Sequence, residues 1–156
     1  MTLILEQHIS PGPSRAWRWQ HRVSFDETSF VQNVYFARYV SWQGCCREEF
    51  LAAHAPDVLA MLRNDLRLVT TGVRCDYYDE LKAGDTIAIE LRLLKRDGYR
   101  ITLGFDYLLQ WEEQSRLVAR GVQEISCMRL CGKDLVPTDL PGSLEAALVA
   151  YADPAA

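Results

Sequence analysis

The sequence predicts an α+β fold in which one long helix packs on a curled antiparallel sheet of about five strands. Three observations carry that expectation. From Tyr35 to about His54 there is no proline and one glycine, and apolar residues recur at spacings of three and four. Between Leu68 and Leu130, successive segments alternate apolar and polar residues with a period of two. Short turns join those segments, so consecutive strands should run antiparallel.

Each element follows in order. Residues 1–14 end in Ser10-Pro11-Gly12-Pro13-Ser14, which punctuates rather than propagates structure, so a loosely held leader is expected there and a single domain over 15–152. Trp17, Trp19, His21, Val23 and Phe25 alternate with Arg18, Gln20, Arg22 and Ser24, the pattern of a strand with one wet face. Asp26-Glu27-Thr28-Ser29 is a polar turn, and Asn33 is the expected helix N-cap. The helix should stop before Pro56. Its stripe is Tyr35, Tyr39, Trp42, Cys46, Phe50 and Ala53, widened by Phe36, Val40, Leu51 and Ala52, so burial of most of its circumference is expected. Val58 to Leu62 can add a helical turn or two.

Leu68 to Tyr78 is rich in β-branched and aromatic residues. Lys82-Ala83-Gly84-Asp85 is a turn, followed by alternation at Ile87, Ile89, Leu91 and Leu93. Asp97-Gly98 is a hairpin turn, and Ile101 to Trp111 resumes the alternation. After the turn at Glu112 to Ser115, Leu117 to Leu130 is apolar on both sides in places and reads as a central strand. Residues 132–142 read as loop, and Ser143 starts a short helix through Tyr151.

With 156 residues, 49% of them hydrophobic, the chain can bury one core and not two. A net charge of -4 argues against a nucleic-acid partner, and no apolar run approaches the roughly 20 residues that span a bilayer. An acidic partner would have to meet a local basic patch. Cysteines 45, 46, 75, 127 and 131 form no zinc-knuckle or CxxC spacing, and no signal-like apolar region follows a basic start, so reduced thiols and a cytoplasmic protein are expected. No GxSxG elbow, HExxH, phosphate loop or dinucleotide fingerprint is present. A triad using His21 stays open, against a packing role between two tryptophans.

The run from Phe25 to Trp42, with an acidic turn ending a strand and then Asn33-Val34-Tyr35-Phe36, Tyr39 and Trp42, resembles the signature of hotdog-fold acyl-thioesterases of the 4-hydroxybenzoyl-CoA thioesterase type. The resemblance covers roughly residues 15–132, including the turn Leu81 to Thr86. In the aryl-CoA branch the turn carries a catalytic aspartate, and the matching position here is Ser29. Glu27-Thr28, Asn33-Val34-Tyr35, Tyr39-Val40-Ser41-Trp42-Gln43-Gly44 and Cys46-Arg47-Glu48 are similar to the thioesterases of enediyne polyketide biosynthesis, which lack that carboxylate and use a polar turn residue, typically asparagine. That resemblance implies hydrolysis of a carrier-bound polyenyl β-keto thioester, with Ser29, Tyr39, Arg47 and Thr70 at the catalytic positions. The freed β-keto acid can lose CO₂ to give a methyl ketone. It further implies an acyl carrier protein domain of a polyketide synthase, or acyl-CoA, as partner, a homodimer or homotetramer, and neither metal nor organic cofactor.

Physical chemistry adds roles to those residues. A hydrolase without an acid depends on oxyanion stabilisation, and the N-terminus of a long helix offers free amides, of which the Phe36 N–H is the candidate donor. Ser29 and Thr70 can position water. Glu27 is either a base or part of an exposed acidic turn. Tyr39 is either core or a hydroxyl aimed at substrate, while Tyr35, Val40 and Gln43 are the expected substrate contacts. Arg47 lies eleven residues beyond Phe36, about 16 Å along a helix. It therefore lines an acyl channel, reaches a site built from two chains, or simply pairs with Glu48, Glu49 or a strand residue. Two other readings remain: a general acyl-CoA thioesterase with Glu27 as base, and a non-catalytic acyl-binding or carrier-docking module.

Overall fold

A computed structural model describes residues 15–156, so the expected leader over 1–14 lies outside the described residues. Strand β1 (Trp17–Arg22) alternates half-buried Trp17, Trp19 and His21 with exposed Arg18, Gln20 and Arg22. A 3-10 turn at Phe25–Glu27 and a loop lead into helix α1 (Phe36–His54). Pro56 then opens a second helix, α2 (Pro56–Leu62), at a position where its missing N–H costs no hydrogen bond. Strands β2 (Leu66–Tyr77), β3 (Thr86–Asp97), β4 (Arg100–Trp111) and β5 (Gln114–Cys131) follow. They form an antiparallel sheet in the order β1-β3-β4-β5-β2, so the second strand in sequence is the far edge.

Three expectations need correction. The helix does not begin after Asn33: its N-cap is Tyr35, with no side-chain capping bond, because Asn33 and Val34 are held extended by bridges to Lys82 and Thr28. The Asn33 carboxamide is committed to the turn, where its Oδ1 accepts the Ser29 hydroxyl at 2.7 Å. Segment 132–142 is not all loop, since Asp134–Pro137 pairs with the end of β5 as strand β6. Nor is α1 buried around most of its circumference. Tyr39, Trp42, Gln43, Cys46, Phe50 and Leu51 are buried against the sheet, whereas Phe36, Ala37, Ser41, Cys45 and Ala52 are exposed. The last helix, α3 (Gly142–Val149), packs against α1, α2 and β3.

The inward residues of β3 (Ile87, Ile89, Leu91, Leu93) and β4 (Ile101, Leu103, Phe105, Tyr107) meet the buried face of α1 in one core. Among the described residues no helix covers the outer face, and there the charged residues neutralise one another across three strand pairs. Arg18 pairs with Glu90 at 2.6 Å, Glu90 with Arg92 at 2.8 Å, Arg92 with Asp106 at 3.0 Å, and Asp106 with Arg120 at 2.7 Å. On β2 the ladder with β5 slips by one residue between Thr70 and Gly72, leaving Thr71 without a partner position.

Candidate active site

The turn before α1 is built on Glu27. Its side chain is buried (8% exposed) and accepts hydrogen bonds from Trp42 Nε1 at 2.8 Å, the Ser24 backbone N–H at 2.9 Å, and His21 Nε2 at 3.0 and 2.9 Å. Burial alone raises the pKa of this carboxyl, but the bonds from Ser24, His21 and Trp42 outweigh it and hold the group below the usual glutamate value. The exposed acidic turn expected from the sequence is therefore not found. A carboxylate already filled by four donor contacts is also poorly placed to take a proton from water.

The lowered pKa has a definite sign. Glu27 binds protons more weakly folded than unfolded, so its contribution to stability is complete above about pH 4.5 and is lost as pH falls through the folded value. In an acid titration followed by circular dichroism, Glu27→Gln is expected to show a flatter loss of stability below pH 4.5 than the unchanged protein. Parallel curves would contradict this assignment.

Beyond Glu27 the chain folds back on itself. Ser29 N–H donates to the Asn33 carbonyl at 2.7 Å, and the Tyr35 N–H donates to the Glu27 carbonyl at 2.9 Å. Gln32 closes this loop with φ of 71°, in the left-handed region. The first helical amides, Phe36 and Ala37, have no acceptor among the described residues, which leaves two donors at the positive end of a 19-residue helix. Tyr77 on β2 fixes their orientation by donating its hydroxyl to the Phe36 carbonyl at 2.8 Å. The Tyr39 ring is buried against Tyr77, Trp42 and Tyr107, and its hydroxyl makes no hydrogen bond within the described residues. Burial and the neighbouring Cys75, Tyr77, Asp79 and Glu80 raise its pKa, so it remains a neutral donor.

Further along α1, Arg47 directs Nη1 to Thr70 Oγ1 at 3.0 Å and to Gln123 Oε1 at 3.1 Å. Both partners are neutral, and no carboxylate lies within ion-pair distance of it among the described residues, so the expected pairing with Glu48 or Glu49 is not found. Burial draws the guanidinium below its ordinary pKa, opposed only by Glu48. This half-buried cation lines a groove of about 360 Å³ together with Glu48, Glu49 and an apolar wall of Leu51, Ala52, Leu59, Leu62 and Leu68.

The structure thus joins Arg47 to Thr70 directly and sets Phe36 beside Tyr39 on the first turns of α1. It does not bring Ser29 to Arg47 by any contact, and Ser29 has no base at its hydroxyl. Gln43, an expected substrate contact, is instead fully buried against the sheet, where its Nε2 donates to the Arg74 carbonyl at 3.2 Å. The Tyr35 and Phe36 rings lie 4.6 Å apart at the surface, tilted by 46°, and Val40 is partly exposed. Phe25, Phe30, Val31, Tyr35 and Phe36 together expose an apolar surface around the helix N-terminus. Sequence reasoning missed Gln123 and Tyr77. Gln123 had a signal, a polar residue on the inner side of an otherwise apolar strand, whereas the role of Tyr77 depends on a strand register that periodicity does not supply.

A family model described as the thioesterase-like superfamily matches residues 23–148. The chain belongs to this superfamily. The thioesterase is 44% identical to the dynemicin thioesterase, whose crystal structures concern induced-fit and allosteric effects upon polyene binding; the match covers 89% of this chain and 99% of that one, with a TM-score of 0.86. More distant is a variant of 4-hydroxybenzoyl-CoA thioesterase complexed with 4-hydroxybenzoyl-CoA, at 12% identity and TM-score 0.76, covering 86% of this chain and 99% of that one. The 1,4-dihydroxy-2-naphthoyl-CoA thioesterase of Synechocystis matches at 19% identity and TM-score 0.70, covering 86% and 96%. A comparison with curated protein sequences gives no match. The fold is the hotdog fold, and the thioesterase is a thioester hydrolase.

Proposed function

We propose that the protein hydrolyses a carrier-protein-bound polyenyl β-keto thioester in enediyne polyketide biosynthesis, releasing a β-keto acid that can decarboxylate to a methyl ketone. The observation that carries this reading is Arg47, a cation in no ion pair among the described residues, held by Thr70 and Gln123 in a groove with one apolar wall. A long, flat, apolar chain suits the groove. A β-keto head, whose oxygens gain negative charge as the thioester is attacked, suits the cation. The 44% identity with the dynemicin thioesterase supports the same reading.

In this mechanism water attacks the thioester carbon, the carbon–sulfur bond breaks, and the proton lost by water leaves with the pantetheine thiol. The Phe36 and Ala37 amides polarise the carbonyl oxygen, each such donor being worth about 3 kcal/mol in a dry site. Ser29 and the Tyr39 hydroxyl orient water and substrate without forming an acyl-enzyme. Arg47 is about 16 Å from those amides within one chain. The complete site therefore uses two copies, with the helix N-terminus of one facing Arg47 of the other, and the exposed aromatic surface around Phe30 and Phe36 is buried between them. The competing reading, with Glu27 as base toward simple acyl-CoA, is disfavoured by the occupied carboxylate.

Mass spectrometry of products from a polyenyl β-ketoacyl carrier protein incubated with the enzyme tests the proposal, with a saturated acyl-CoA as comparison. Free β-keto acid or methyl ketone, formed faster than thiol is released from the acyl-CoA, is the expected result. Preference for the acyl-CoA would overturn it.

A further inference from the structure

Glu27 is costly where it stands. A carboxylate buried beside the Trp42 indole loses hydration, and its only ionisable donor among the described residues is a histidine. The bonds that compensate it come from three elements. His21 is on β1, Ser24 precedes the 3-10 turn, and Trp42 lies in the second turn of α1, while the Glu27 carbonyl holds the N–H of Tyr35, the residue before the free helical amides. Glu27 is therefore bonded on one side to the strand and on the other to the helix whose N-terminus polarises substrate. Ser29 is two residues away in the same turn.

We propose that Glu27 is a positioning residue for thioester hydrolysis: with His21 and Trp42 it locks the turn bearing Ser29 against the first amides of α1. It takes no proton from water and touches no substrate. The inference rests on hydrolysis at the helix N-terminus and not on the identity of the acyl chain. Trp42 is the informative partner, since its indole N–H needs a buried acceptor and Glu27 supplies it. His21 completes the lock, because its ring stacks on Trp19 at 5.3 Å and lies 5.0 Å from that of Trp42, which holds Nε2 toward the carboxylate.

The lock and the base make opposite demands on Glu27→Gln. A glutamine keeps a carbonyl oxygen for Trp42 and turns an amide to His21, giving up the bond from the Ser24 N–H, but it cannot accept a proton. The test is steady-state thiol release with whichever of two substrates the unchanged protein hydrolyses faster, the polyenyl β-ketoacyl carrier protein or a saturated acyl-CoA. That choice keeps a failure of the substrate assignment separate from a failure of this one. Glu27→Gln is expected to retain kcat within about fivefold, while Glu27→Ala and Trp42→Phe each lower kcat by about tenfold or more with KM changed less than about twofold. The Glu27→Ala/Trp42→Phe double variant should lose no more than the worse single, as expected for residues acting through one bond. Should Glu27→Ala fail to fold, Trp42→Phe and Glu27→Gln still decide the matter. A kcat for Glu27→Gln reduced a hundredfold would make Glu27 the base and overturn the proposal, as would an unchanged kcat in Trp42→Phe.

Discussion

Replacing Arg47 with methionine is expected to lower kcat/KM by about two to three orders of magnitude while the melting temperature stays within a few degrees of the unchanged protein. The two halves of this expectation have different causes. The guanidinium is half-buried, hydrogen-bonded to Thr70 Oγ1 and Gln123 Oε1, and in ion-pair contact with no carboxylate among the described residues, Glu48 acting on it only from a distance. For the free protein such a desolvated cation is a burden, so its removal relieves a cost that offsets the roughly 1 kcal/mol lost with its hydrogen bonds. Methionine keeps the apolar stem against the groove wall. For the reaction, the same cation is matched only when negative charge develops on substrate, so its loss falls on the transition state. Thiol-release kinetics and a thermal melt on the same preparation check both halves. Activity within fivefold of the unchanged protein would remove Arg47 from the site, and a melting point lowered by ten degrees would make it a structural residue.

The second large effect is expected at Gly121 on β5, which is given no contact with substrate. A methyl group there would lie 2.0 Å from Gln43 Nε2 and 2.8 Å from its Cδ, and Gln43 is fully enclosed, with nowhere to withdraw. Gly121→Ala should therefore push α1 off the sheet or break the Gln43 bond to the Arg74 carbonyl. Overpacking of this kind costs about 1–3 kcal/mol, which for a chain of this length lowers the melting temperature by about 3–10 °C. Glycine to alanine within a strand ordinarily stabilises by about 0.5–1 kcal/mol, so the sign alone is diagnostic. In a Gln43→Ala background the clash is absent and Gly121→Ala should become neutral or stabilising. Thermal melts of the two single variants and the double variant measure this, and additive effects would show that the glycine is not there for the glutamine.

Gln43 also marks where reading the sequence stops. Tyr39, Trp42, Cys46 and Phe50 were legible as inward positions from spacing alone, because a three-and-four periodicity reports which side of a helix is buried, whereas Gln43 on the same side was read as a substrate contact. What lies opposite that side is set by pairings distant in sequence, such as Phe105 with Gly121, and no local pattern encodes them. The same limit divides the site. Arg47 and Thr70 were singled out as separate positions, yet the contact that makes them one unit spans 23 residues and depends on Gln123, 76 residues from Arg47. The acid turn was legible as a turn but not as a buried one, since the donors that draw Glu27 inward come from a strand before it and a helix after it. Asn33 has the residue type of a cap and fails as one for a related reason, because extended pairing with Lys82 competed for its backbone and won.

One unpaired threonine reaches further than its size suggests. On either side of Thr71 the strand obeys the usual alternation, but the two halves are out of phase. Thr70 faces the helix beside Ile125, and three residues later Val73 faces it beside Gln123, although only two residues separate those partners on β5. Thr71 thus acts as a frameshift within the strand. Upstream of it the even-numbered Leu68 and Thr70 look inward; downstream it is the odd-numbered Val73, Cys75 and Tyr77. Were Thr71 instead paired in a regular ladder, opposite Glu124, one phase would run throughout. The inner surface would then receive the ion-paired Arg74 and Asp76, and Tyr77 would turn away from the Phe36 carbonyl it now holds. The free-amide end of the helix and the arginine end are thus served by two strand segments that only an irregularity lets face the same way.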